Sequence, residues 1–132
     1  MKYPFIVIDD SPIDCLIVKK VIGFSGKSSD VKVFNDATLA LQYIESNEES
    51  LSASISFITL DIMMPIMNGF EFLDKFIDLP KSIQERYKII ILSLSNNEHT
   101  IKRLQKYKVI EAIVEKPITM DKFAAVIGKF QE

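Results

Sequence analysis

Ile55-Ser56-Phe57-Ile58-Thr59-Leu60-Asp61-Ile62-Met63-Met64-Pro65 is an apolar, β-branched and aromatic run that reaches a carboxylate and then a proline. Its length and composition are those of a buried strand. The turn-forming pair Asn68-Gly69 follows just beyond it. A buried strand ending on Asp carries that carboxylate to the rim of its sheet, where a loop begins. In open α/β sheets, ligands bind at that rim, outside the carboxyl ends of the strands. Asp61 is therefore the first candidate site residue, and the other segments must supply what meets it.

Working outward, Pro4-Phe5-Ile6-Val7-Ile8 is a second continuous apolar run, and it ends on Asp9-Asp10. Ser11 can cap a helix with Pro12 at its first position and Asp14 at its third. Ile13, Ile17, Val21 and Phe24 recur at helical spacing, and the Gly23 to Gly26 region ends the helix. Val31 to Phe34 alternates like a strand with one wetter face. Asn35-Asp36 caps a second helix whose inner face is Ala37, Ala40, Leu41 and Ile44. A polar loop, Ser46 to Ser52, leads into the central strand.

Beyond Pro65, Asn68 and Glu71 have capping-box spacing. Phe70, Leu73 and Ile77 read as the buried side of a third helix, which Pro80 stops. Lys81 to Tyr87 is a polar connection with room for a turn of helix. Ile89 to Leu92 is a buried strand ending on Ser93. Ser95 and Glu98 form a second capping box ahead of a fourth helix, whose apolar positions are Ile101, Leu104 and Tyr107. Glu111 to Val114 is the fifth strand, ending near Lys116-Pro117. Thr119 caps the last helix, with Phe123, Val126, Ile127 and Phe130 facing in.

Strand and helix thus alternate five times, the pattern of a parallel sheet with helices on both faces. Strands one, three and four are apolar on both sides, as central strands are; two and five suit edges. The 132 residues are enough for a single domain, residues 1–132. A formal charge of −2 and the lack of a dense basic run give no general pull toward nucleic acid. The lone Cys15 allows no internal disulfide and fits a reducing, cytoplasmic setting. No apolar stretch is long enough to span a bilayer.

Parallel strands bring Asp9, Asp10, Asp61, Ser93 and Lys116 to one edge. Carboxylates gathered there repel one another unless a cation sits among them, and hard oxygen donors suit Mg²⁺. A lysine ammonium and a hydroxyl opposite suit a phosphoryl group.

On the acidic pair Asp9-Asp10, the run Asp61 to Pro65 with Asn68-Gly69, then Ser93 and Lys116-Pro117, the chain resembles a response-regulator receiver domain of two-component signalling, nearly end to end. The resemblance implies a flavodoxin-like, doubly wound five-stranded sheet in the order 2-1-3-4-5. It implies that Asp61 is the phosphoacceptor, served by a histidine kinase or histidine phosphotransfer protein, with slow self-dephosphorylation. Asp10, Asp61 and the Met63 backbone carbonyl would ligate Mg²⁺, with Asp9 acting through water or sharing coordination. Lys116 would pair with the phosphoryl group, and Ser93 would reach one of its oxygens. The Lys116-Pro117 bond is often cis in such domains.

Ser93 stands where threonine is common, and Ile113 where an aromatic often couples to that hydroxyl. Met63 and Ser95 lie where phosphoryl lifetime is tuned. The fourth helix carries a narrow apolar stripe and follows Ser93, so phosphorylation is expected to shift it and alter a face built with strand five and the last helix. The first helix, with Val18 and Ile22 as candidates on its exposed side, is the expected docking surface for the donor. With no output domain in this chain, signalling is expected by docking on an unknown effector or by onward phosphotransfer. The rivals are a Mg²⁺-dependent aspartyl phosphatase and a docking module with an unused site. Met63 stands where the phosphatase would want a second aspartate, and all reactive groups of the receiver are present. His99, on the fourth helix, reads as a surface residue, and Met63, Met64 and Met67 as adaptable packing.

Overall fold

The computed structural model describes residues 2–46, 55–63, 67–94 and 98–130. Five parallel strands, β1 (Tyr3–Ile8), β2 (Ser28–Phe34), β3 (Ser56–Asp61), β4 (Tyr87–Ser93) and β5 (Ile110–Glu115), form one sheet in the order β2-β1-β3-β4-β5. The helices are α1 (Pro12–Ser25), α2 (Ala37–Ser46), α3 (Gly69–Phe76), the single turn α4 (Lys81–Gln84), α5 (Glu98–Leu104) and α6 (Met120–Ile127). The fourth helix expected from sequence is therefore α5, and the last one α6. This is the doubly wound architecture expected.

Successive strand residues point to opposite faces, and each face has its own core. Ile6, Ile8, Ile58, Leu60, Ile89 and Ile91 pack against α2, α3 and Leu104 of α5. Phe5, Val7, Phe57, Ile90 and Leu92 pack against α1 and α6. In the second core Phe5 stacks on Phe57 with centroids 5.3 Å apart and meets Phe123 at 5.7 Å. Burial of both faces explains why β1, β3 and β4 read as unbroken apolar runs, while β2, at one edge, is largely solvated.

The helix ends follow local chemistry. Ser11 Oγ accepts the Asp14 N–H at 3.2 Å with Pro12 at the first turn, and Gly26 closes α1 at φ 72°, a left-handed conformation that suits glycine. Asn68 and Glu71 form the reciprocal capping box, and Thr119 caps α6. Asp36 Oδ1 accepts the Thr38 N–H at the start of α2, so Asp36 caps there and Asn35 is used elsewhere. The Ser95 cap, and Met64, Pro65 and most of the loop before β3, lie outside the described residues, as does the Phe130 side chain.

Three expectations are corrected. The inward stripe of α1 is Cys15, Val18 and Ile22, with Val18 only 3% and Ile22 0% exposed; Ile13 and Phe24 are 71% and 79% exposed, with Leu16 and Ile17 on the same outer side. Val18 and Ile22 therefore lie on the buried side of α1, not on its exposed side. Ile77 lies at the C-cap of α3 and is exposed, while Phe72 and Phe76 fill the core. Met63 is exposed and packs little; Met67 packs against the core.

Candidate functional site

The register pairs Ile8 with Leu60 and Asp61 with Leu92. One further step along β1 sets Asp9 opposite Asp61, on the face that looks toward α1 and α6. Ser93 lies one step past the Asp61–Leu92 pair and is paired with Glu115, so Lys116 leaves β5 beside it. The Lys116 N–H donates to the Ser93 carbonyl at 2.7 Å, and the Lys116-Pro117 peptide is cis. Four strand ends therefore deliver Asp9, Asp10, Asp61, Ser93 and Lys116 to one rim.

Asp9, Asp10 and Asp61 each bring a carboxylate oxygen to within 4.8 Å of the others. Asp9 and Asp61 are buried, whereas Asp10 is exposed. Asp9 is fixed on all sides. Its Oδ1 accepts the Ser11 N–H at 2.9 Å, and its Oδ2 accepts from Lys116 Nζ at 3.0 Å. Its carbonyl accepts from Asn35 Nδ2 at 3.0 Å and Cys15 Sγ at 3.2 Å. Burial, with Asp9 and Asp14 nearby, pushes the Cys15 thiol up to about 11, so this cysteine is an inert packing group with a weak hydrogen bond.

Lys116 Nζ lies 3.4 Å from Asp61 Oδ1, and the same oxygen accepts the Met63 N–H at 3.3 Å. Both contacts favour the ionised carboxylate. They are outweighed by burial first and the Asp9 charge second, and Asp61 is pushed up to about 6. Burial works against the Lys116 charge, but hydrogen bonds to Asp14 and Asp9 and the Asp61 charge outweigh it and raise its pKa. The ammonium thus stays charged at neutral pH.

Sequence reading missed three contributors. Asp14 Oδ2 lies 2.9 Å from Lys116 Nζ. From sequence Asp14 is a first-turn acid suited to the helix dipole, and its pairing with a lysine 102 residues away leaves no local trace. Asn35 holds the Asp9 backbone instead of capping α2. Lys122 Nζ donates to the carbonyls of Glu115 at 2.9 Å and Pro117 at 3.1 Å, pinning the chain on both sides of Lys116.

Three carboxylates of hard oxygen, one with its proton affinity raised by burial and then by a like-charged neighbour, are a donor set that fits Mg²⁺. The partly buried ammonium alongside is placed to meet an anion. No helix among the described residues is long and apolar enough to cross a membrane.

The family described as the response regulator receiver domain matches residues 5–128. The chain is 36% identical over 96 residues to the nitrate/nitrite response regulator protein NarL of Escherichia coli (strain K12), covering 73% of this chain and 40% of NarL. It is 29% identical over 101 residues to the chemotaxis protein CheY of Treponema pallidum (strain Nichols), covering 76% of this chain and 64% of that protein. The chain thus spans less than two thirds of these relatives. A crystal structure of a response regulator receiver protein from Dyadobacter fermentans DSM 18053 superposes with a TM-score of 0.83 at 25% identity, covering 97% of each chain.

Proposed function

The chain belongs to the response regulator receiver domain family, and we propose that it stores a phosphoryl group on Asp61, taken from a phosphohistidine of a histidine kinase or histidine phosphotransfer protein. One observation carries the reading: the buried Asp61 carboxylate stands among Asp9, Asp10 and the Lys116 ammonium at a single sheet rim.

Asp10, Asp61 and the Met63 carbonyl would hold Mg²⁺, with Asp9 acting through water or sharing coordination. Bound there, the ion would neutralise the clustered carboxylates and the phosphoryl oxygens. An Asp61 oxygen attacks phosphorus in line with the leaving imidazole, which departs with the bonding electron pair. Lys116 pairs with a phosphoryl oxygen, and the Ser93 hydroxyl donates to another, drawing its loop inward. Hydrolysis later returns Asp61 slowly to its free form.

The donor docks beside α1. Its exposed apolar residues Ile13, Leu16 and Ile17 stand on the outer side, and a groove runs from Ile17 past Leu94 to Pro117. Output goes through the face of α5, β5 and α6, by docking on an effector or by onward transfer, in the cytoplasm.

Acetyl phosphate with Mg²⁺ tests this. It should label Asp61, seen as a mass gain of one phosphoryl group that Asp61→Asn abolishes. An unlabelled wild type, or labelling that survives in Asp61→Asn, would refute the assignment.

A further inference from the structure

A lysine ammonium has three N–H donors, and carboxylates surround those of Lys116: Asp14 Oδ2 at 2.9 Å, Asp9 Oδ2 at 3.0 Å and Asp61 Oδ1 at 3.4 Å. The shortest contact is with Asp14, which lies outside the acidic cluster fitted to a cation. Its backbone is fixed by the Ser11 cap, but its side chain remains 37% exposed, at the lip of the groove beside Ile17 and Leu94.

We infer that Asp14 is a positioning residue that clasps the Lys116 ammonium and competes for it with the phosphoryl group arriving on Asp61. The inference rests on the phosphoacceptor reading above. A phosphoryl oxygen on Asp61 reaches Lys116 only by displacing one of its present partners. Asp9 cannot yield, since it is buried and its other oxygen is fixed by the Ser11 N–H. Asp61 is the point of attachment. Asp14 alone has an open side toward solvent, so it is the partner that lets go.

Charge points the same way. Asp9, Asp10, Asp14 and Asp61 outnumber the single ammonium, and an anionic donor meets that excess. Asp14 thus holds Lys116 in place while the site is empty and weakens the site for phosphoryl-like anions. When it is released, a carboxylate swings into the groove beside α1, so the charge of that surface changes with phosphorylation.

The test is a beryllofluoride titration at saturating Mg²⁺, followed by fluorine NMR, on wild type, Asp14→Asn and Asp14→Glu. Asparagine keeps the shape and removes the charge. The Asn variant should bind on the order of ten-fold tighter, the Glu variant should return to the wild-type value, and affinity for Mg²⁺ alone should not increase in the Asn variant. With acetyl phosphate, the phosphorus–oxygen bond to acetyl breaks, acetate leaves with the electron pair, and the bond to Asp61 forms; this should run faster in the Asn variant. A residue that merely props up Lys116 predicts the opposite sign. Binding by Asp14→Asn that equals or falls below wild type overturns the clasp alone. A wild type that binds no beryllofluoride overturns the clasp and the phosphoacceptor reading together.

Discussion

The Lys116 N–H donates to the Ser93 carbonyl at 2.7 Å, which ties the end of β4 to the residue that leaves β5. The two residues assigned to different oxygens of one phosphoryl group therefore share a backbone link. A pull on the Ser93 loop is felt at Lys116 and also at α5, the next helix along the chain. Leu104 is the buried residue that anchors α5. Beryllofluoride with Mg²⁺ should accordingly change amide exchange in α5 and at the Lys116 N–H well before β2. Hydrogen exchange resolved by peptide or by NMR measures this, and changes confined to β2 and α2 would break the proposed coupling.

Asp61 makes stability depend on pH. Its pKa is raised from the ordinary 3.8 to about 6, by burial first and then by Asp9. A carboxyl with a raised native pKa contributes stability that is fully present below its unfolded value and lost as pH rises through the native one. The metal-free protein should lose up to about 3 kcal/mol from this group between pH 4 and pH 6. Asp61→Asn keeps an oxygen for the Met63 N–H and for Lys116. It should therefore melt above wild type at pH 7 without metal, with the gain vanishing below pH 4. Mg²⁺ should raise the wild-type melting temperature more than that of the variant. A metal-free Asn variant that melts lower at pH 7 would show that the Lys116 attraction exceeds the cost of burial.

The strands and most caps were legible because their signals are local: apolar runs bounded by Asp, Asn-Gly and Pro, and oxygens three residues ahead of an N–H. The site was legible because parallel strands ending on Asp9, Asp61, Ser93 and Glu115 can meet at only one edge. The inner face of α1 was not. Ile13, Ile17, Val21 and Phe24 form one helical stripe, and Cys15, Val18 and Ile22 form another. Both are apolar, so periodicity cannot choose between them. The choice is made in three dimensions, where Ser11 and Cys15 bond Asp9 and rotate the helix onto the sheet. Ile77 was misplaced for the same reason: its N–H still bonds the Leu73 carbonyl in helical phase, but α3 is apolar on two adjoining stripes, and Phe72 and Phe76 rather than Ile77 take the core.

Gly69 sets how closely α3 approaches the end of β3. Its N–H donates to the Ile62 carbonyl at 2.9 Å. A β-carbon there would stand 2.6 Å from Ile62 Cδ1, 2.8 Å from Ile62 Cα and 3.1 Å from the Asp61 carbonyl oxygen. The Ile62 side chain can turn aside, but its Cα cannot move without carrying Asp61 with it. Gly69→Ala should cost about 1–3 kcal/mol in urea unfolding, the range for overpacking. It should also slow acetyl phosphate labelling of the folded variant. Wild-type stability and labelling would mean that the loop yields without disturbing Asp61.

A cation–π pair and a hydrogen bond are among the contacts that hold the α5 region to α3. The Arg103 guanidinium lies over the Phe70 ring, 3.7 Å from its centroid, and Tyr107 Oη donates to Asp74 Oδ1 at 2.6 Å. Burial and then the Asp74 hydrogen bond raise the Tyr107 pKa. The phenol donates, so the bond needs the protonated form. Its contribution is fully present below the ordinary tyrosine value of 10.0 and is lost as pH rises through the raised native value. Tyr107→Phe removes the bond and keeps the ring against Phe70. It should cost about 0.5–1 kcal/mol at pH 7, since the pair is exposed. The cost should disappear in strong alkali, and α5 amides should exchange faster in the variant at pH 7. Arg103→Met should speed the same amides by removing the cation over Phe70. Unchanged α5 exchange in both variants would show that neither contact restrains this helix.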